Sequence, residues 1–156
     1  MDQAWLGVTI SSEKITAVHA IVSPGVALEI VADTTWTLQS GERPAAYDVA
    51  YRWVADYVKE HGIRRVFIKA SALSTGSTKL AHLQSAELRG VVIAAAASSC
   101  PTTLLAKAQL SKTFGDRKVD DYIADASFWE KEALGKPLRT GSRGAAFLLL
   151  AARDVA

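Results

Sequence analysis

The chain has 156 residues, of which 49% are hydrophobic and 22% charged, and a formal net charge of +2. That length suits one domain spanning 1–156, and the composition is that of an ordinary globular protein with enough apolar side chain for a core. So small a net charge gives the molecule no strong overall field, so attraction to nucleic acid or anionic membranes must come from local clustering of cations.

No stretch approaches the about 18 consecutive apolar residues of a membrane span. No basic segment followed by an apolar run opens the chain, so a membrane association or signal peptide is not expected. Cys100 is the single cysteine, which excludes an internal disulfide framework and any multi-cysteine zinc site. These features describe a cytoplasmic protein of a reducing compartment. Cys100 stands in the turn Ser98-Ser99-Cys100-Pro101 and reads as a partly buried bystander.

In chain order, Leu6, Val8 and Ile10 alternate with Gly7 and Thr9, the period of a strand. Ser11-Ser12-Glu13 turns the chain into a second strand from Lys14 to Val22. Ser23-Pro24-Gly25 turns it again into a third, from Val26 to about Leu38. Pro44 suits the opening of a helix in which Ala46, Val49, Ala50, Trp53, Val54, Tyr57 and Val58 recur at helical spacing, with Gly62 as its stop.

Val66-Phe67-Ile68 is compact and apolar, as a central parallel strand would be. A hydroxyl-rich loop, Ser71 to Thr78, leads to a second helix ending near Ser99, and Thr102 to Ala106 forms a fifth strand. An amphipathic piece follows at Val119 to Leu134, halted by Gly135-Lys136-Pro137. The last helix, Ser142 to Asp154, carries the run Ala145 to Ala152, apolar all round, which should be buried against the sheet or in a subunit contact.

The expected fold is therefore α/β: a five-stranded mixed sheet, three antiparallel strands then two parallel, with helices on both faces. Ligands in such sheets gather at the carboxyl ends of the parallel strands. Here those ends are Thr9-Ile10-Ser11, Lys69-Ala70-Ser71 and Ala106-Lys107-Ala108.

On Leu6-Gly7-Val8-Thr9-Ile10-Ser11, Val66-Phe67-Ile68-Lys69 and the last helix from Gly141 to Ala152, the chain resembles the RNase H-like superfamily, its RuvC-like branch in particular. It is similar among small bacterial relatives to an uncharacterised family whose strand four also ends in an Ile-Lys pair before a Gly-rich loop. The resemblance implies metal-binding acids in strand one, at the end of strand four and in the last helix. The matching positions are Thr9, Lys69 and the Gly141–Gly144 segment, none of which carries a carboxylate.

Two-metal phosphodiester chemistry needs carboxylate oxygens around closely spaced cations. An ammonium about 4 Å from a unit positive charge costs roughly 4 kcal/mol at an effective dielectric of about 20, and about twice that for a divalent ion. Lys69 would repel the metal, so the chain leans away from being an enzyme, with no catalytic residues, metal site or cofactor expected. Glu13, Asp116, Asp120, Asp121 and Asp125 are the acids that could substitute; Asp121 and Asp125 would lie one helical turn apart.

The loop Thr75-Gly76-Ser77-Thr78-Lys79 lacks the Gly-Lys-Ser/Thr order of a Walker motif, yet it runs into a helix start where anions are favoured. Thr9, Ser11, Lys69, Ser71, Ser77, Thr78, Lys79, Lys107 and Lys112 are accordingly the expected nucleic-acid or anion-binding residues, with Arg117 and Lys118 following. The alternative is that these are ordinary solvated side chains. His19, His61 and His82 have no metal spacing, and Trp5, Trp36, Trp53 and Trp129 should pack the core.

The function expected is a catalytically degenerate RNase H-like nucleic-acid-binding or assembly module, with a homodimer through the C-terminal helix. Two other readings stay open: a divergent metal-dependent nuclease with relocated carboxylates, and a pure protein–protein adaptor.

Overall fold

A computed structural model describes residues 2–72, 79–114 and 116–155. Three strands open the chain: β1 (Gln3–Ile10), β2 (Lys14–Val22) and β3 (Leu28–Thr37). Helix α1 (Arg43–Glu60) leads to β4 (Arg65–Lys69), α2 (Leu80–Ala97) to β5 (Thr102–Leu105). Then come α3 (Lys107–Phe114), α4 (Val119–Ala124), α5 (Ala126–Glu132), a short β6 (Ala133–Gly135), a 3-10 turn at Thr140–Ser142, and α6 (Arg143–Val155).

The sheet order is β5-β4-β1-β2-β3-β6. β1, β2 and β3 form an antiparallel meander, and β4 and β5 add in parallel beside β1. These are the five strands the alternation predicts, in the predicted order. The sixth was not expected. β6 lies parallel to β3, with Leu28 opposite Ala133 and Ile30 opposite Gly135. Three residues are too few to show a period of two, and their sequence reads as a helix end.

Gly135 (φ +86°) makes the pairing feasible, since a Cβ there would sit 2.8 Å from the carbonyl oxygen of Ile30. The amphipathic piece from Val119 is also not one helix: Asp125 leaves helical geometry (φ −88°, ψ 98°) and caps α5 by accepting from the N–H groups of Ser127 and Phe128. A strong cap thus interrupts an apolar periodicity that by itself would have run on.

Alternation along the strands divides the core in two. On one face Leu6, Val8, Ile15, Ala17, Val66 and Ile68 meet Ala50, Val54 and Val58 of α1 and Leu88, Val92, Ala95 and Ala96 of α2. On the other, Trp5, Val18, Ala20, Leu28, Ile30 and Phe67 meet Leu110, Tyr122, Trp129 and the whole run Ala145–Ala152 of α6. That run is buried within the chain itself, so the contact is with the sheet.

α6 comes this close because β1 has no side chain in its way: a Cβ on Gly7 would lie 2.2 Å from the carbonyl oxygen of Ala145. Trp5 and Trp129 are buried as expected, and Trp36 and Trp53, partly buried and stacked on each other at 6.4 Å, also pack against the core on the α1 face.

His19 is the buried histidine. Its Nδ1 lies 3.0 Å from the hydroxyl of Tyr57, whose ring stacks on His61, and the His19 and His61 rings are 5.8 Å apart. Burial, and secondarily the neighbouring His61, lower the His19 pKa below its ordinary value. Burial likewise raises the Tyr57 hydroxyl.

Two predictions follow the packing. Gly7→Ala must displace backbone rather than a flexible side chain and is expected to cost about 3 kcal/mol in urea denaturation. For His19, the folded pKa lies below the unfolded one. The unfolded chain therefore takes the proton first, and stability declines as pH falls from about 7 towards about 5. His19→Phe should flatten that part of the urea-midpoint profile relative to the parent.

Candidate strand-end cleft

The carboxyl ends of β1, β4 and β5 lie side by side. Val8 is opposite Ile68, so Thr9 and Lys69 follow on neighbouring strands. By alternation both share the α6 face with Trp5, Gly7 and Phe67. Phe67 and Trp5 confirm that face, their ring centroids 5.0 Å apart with Arg65 over both. Thr9 sits under the start of α6, its Cγ2 3.8 Å from where a Gly144 Cβ would stand. Lys69 is half-buried, and its ammonium makes no ion pair among the described residues.

Of the other expected residues, Ser11 is exposed in the turn after β1, its N–H donating to the Lys14 carbonyl at 3.0 Å. Ser71, also exposed, accepts from Arg89 Nη1 at 2.6 Å. Lys79 is exposed at the N-cap of α2, where its carbonyl accepts from the N–H groups of His82 and Leu83. Lys107 lies two residues past Leu105, which pairs with Lys69, so it reaches the same end of the sheet. Its ammonium is not free, however, being paired with Asp120 at 3.2 Å. Ser77, Thr78 and the Lys112 side chain lie outside the described residues.

Each acid considered as a substitute is otherwise engaged or apart. Asp116 accepts from the Tyr122 hydroxyl. Asp125 caps α5 and pairs with Arg117 at 2.9 Å; the bonds from Ser127 and Arg117 lower its pKa to about 2. Because Asp125 has left the α4 helix, the expected one-turn spacing from Asp121 does not exist. No group of three or more His, Cys, Asp or Glu among the described residues could hold a metal ion.

Sequence reasoning missed three groups. Asp33 on β3 turns its carboxylate to the α6 face, its side chain only 6% exposed. It accepts from Arg139 Nη2 at 2.7 Å, Arg139 N–H at 2.9 Å and the Ser142 hydroxyl at 2.5 Å. Burial by itself would raise its pKa, but these bonds more than offset that and hold it below the ordinary carboxylate value. Arg139 also donates to the Thr35 hydroxyl at 2.7 Å.

Arg143, at the start of α6, donates to the Ile123 carbonyl at 3.1 Å, while its Nε is buried without a partner among the described residues. Arg89 of α2 donates to the Lys69 carbonyl at 3.0 Å and, at 3.5 Å, to that of Ile10, tying β1, β4 and α2 together. Nothing local marks these residues; their partners lie between 18 and 109 positions away.

The strand order and the helix buried across β1 define an α/β protein of the RNase H-like fold. Among solved structures the chain is similar to Holliday junction resolvases. Thermus thermophilus RuvC in complex with Holliday junction substrate superposes with a TM-score of 0.75 at 10% identity, covering 97% of this chain and 94% of that one. Another Thermus thermophilus RuvC structure gives 0.75 at 12% identity over the same shares. The yeast mitochondrial Holliday junction resolvase gives 0.65 at 11% identity, covering 97% and 79%. No family model matches the chain, and no curated protein matches it by sequence. No described helix is long and apolar enough to cross a membrane.

The Asp33 clamp is testable. Arg139→Ala leaves a mostly buried carboxylate short of charge-assisted bonds and should cost about 1–3 kcal/mol. Because the folded pKa of Asp33 is depressed, this contribution is present above the ordinary carboxylate pKa and lost as pH falls through the folded value. Acid unfolding of the parent and of Asp33→Asn should therefore converge at low pH.

Proposed function

We propose that this chain is one RNase H-like domain that binds nucleic acid at the strand-end cleft without cleaving it. The observation that carries the reading is that Thr9 and half-buried Lys69 follow the last β1–β4 pair on neighbouring strands, Thr9 under the start of α6, where the fold's nucleases would need acids. A cation in that position suits a backbone phosphate and opposes a divalent metal. Asp33, the buried carboxylate of the same face, is already neutralised by Arg139.

The structural likeness to a resolvase solved with Holliday junction substrate supports nucleic acid as the ligand class. Thr9, Ser11, Lys69 and Ser71 remain the proposed contacts. Lys79, Ser77, Thr78 and Lys112 are proposed to flank them, and Lys107 contributes if its pair with Asp120 opens. The degenerate character also suits the small bacterial family with an Ile-Lys ending to strand four.

Fluorescence anisotropy with a four-way junction, a duplex and a single strand at low salt tests this directly. Binding is expected for at least one of them. Lys69→Glu should weaken it roughly tenfold and reduce the salt slope by about 1. Cleavage of any of the three in magnesium or manganese would sink the non-catalytic reading and favour the divergent nuclease. A complete absence of binding would favour the adaptor.

A further inference from the structure

On the opposite face of the sheet from Thr9, between α2 and the ends of β1 and β4, lies a second cleft of ≈ 410 Å³. Its described lining is Ile10, Ser71, Ala72, His82, Leu83, Ser85, Ala86 and Arg89. No acid is among these residues. Arg89 is half-buried, yet among the described residues each of its hydrogen bonds goes to an uncharged oxygen: the carbonyls of Lys69 and Ile10 and the hydroxyl of Ser71.

Buried cations are ordinarily paired, because removing a charge from water is costly without a counter-charge. Here desolvation is felt directly, pushing the Arg89 pKa below its ordinary value. A guanidinium carries more N–H donors than the three used. The Ser85 hydroxyl, which donates to the Ala81 carbonyl at 2.9 Å, keeps its acceptor and packs on the same helix face one turn before Arg89. His82, exposed on the rim, can also donate.

From this geometry we infer that the α2 cleft is a pocket for a phosphoryl group, with Arg89 as its counter-ion and Ser71, Ser85 and His82 around it. A phosphoryl dianion would supply the charge that Arg89 lacks, and the planar fork of arginine suits two of its oxygens at once. Leu83, 54% exposed at the edge, offers an apolar shelf to whatever the phosphoryl is attached to. The pocket stands whether or not the cleft under α6 takes nucleic acid.

Inorganic phosphate, titrated calorimetrically and in thermal melts at matched ionic strength, is the probe. Arg89 also ties the strand ends together, so its removal could unfold the site. The decisive variant is Ser85→Glu, which places a carboxylate one turn before Arg89, the favourable order for an internal pair. The parent should bind phosphate and gain melting temperature with it, and Ser85→Ala, which loses one hydroxyl but gains no charge, should bind it only slightly more weakly. Ser85→Glu should fold, melt no lower than the parent without phosphate, and bind phosphate roughly tenfold more weakly or not at all, the loss expected for charge-assisted bonds.

A single strand that competes with phosphate and is itself weakened by Ser85→Glu identifies a backbone phosphate as the natural source. Phosphate binding that the strand leaves untouched identifies a free phosphorylated ligand. Either result supports the pocket. Absence of phosphate binding to the parent, or equal binding to parent and Ser85→Glu, overturns it. If the strand then still binds in a Lys69-dependent way, the failure belongs to this pocket alone.

Discussion

Everything at the strand ends depends on the approach of α6 to β1 at backbone distance. An apolar helix can be buried against a sheet at ordinary separation, but here Gly7 removes the last obstacle and the helix backbone settles onto the strand. That closeness sets the height of Gly144 above Thr9 at the end of β1. It also explains why the helix can be apolar all round without leaving a sticky surface: Phe147, Leu148, Leu149 and Leu150 are each fully buried among the sheet and its neighbours.

The second determinant is how charge is distributed around that frame. Asp33, the buried carboxylate of the α6 face, is consumed by Arg139 and Ser142, which fix the entry of the chain into α6. Arg143 ties the same entry to the end of α4. In the α4 and α5 region Asp120 meets Lys107, and Asp125 meets Arg117 and backbone N–H groups close by. Two cations at the strand ends, Lys69 and Arg89, remain without an acidic partner among the described residues. They belong to opposite faces of the same strand termini, since Lys69 ends β4 on the α6 side while Arg89 reaches in from α2.

Much of this frame was legible in the sequence because it rests on local periodicity. Leu6, Val8 and Ile10 alternate, Ala46 to Val58 recur at helical spacing, and Pro44 opens α1, so five strands and their order could be read. The placement of Thr9 and Lys69 followed from that order. What stayed hidden was long-range or too short to be periodic. β6 has three residues and is defined only by its partner β3; the break at Asp125 is a capping event that outweighs an otherwise continuous apolar pattern. The partners of Asp33 and Arg89 sit across the fold, and sequence could not show that Lys107 would meet Asp120 on a later helix.

β6 has a bearing beyond the finished fold. β3 is the ten-residue outer strand of the meander, and its free rim would offer a row of unpaired amides and carbonyls to any other chain. The rim is covered along part of its length by the three-residue ribbon Ala133–Gly135, followed by Lys136 and Pro137, residue types that discourage further strand addition. The covering segment is synthesised long after the meander it protects. During translation the nascent meander must therefore wait with an exposed template for intermolecular pairing, and aggregation is the hazard of that interval, which closes only when the late cover is made.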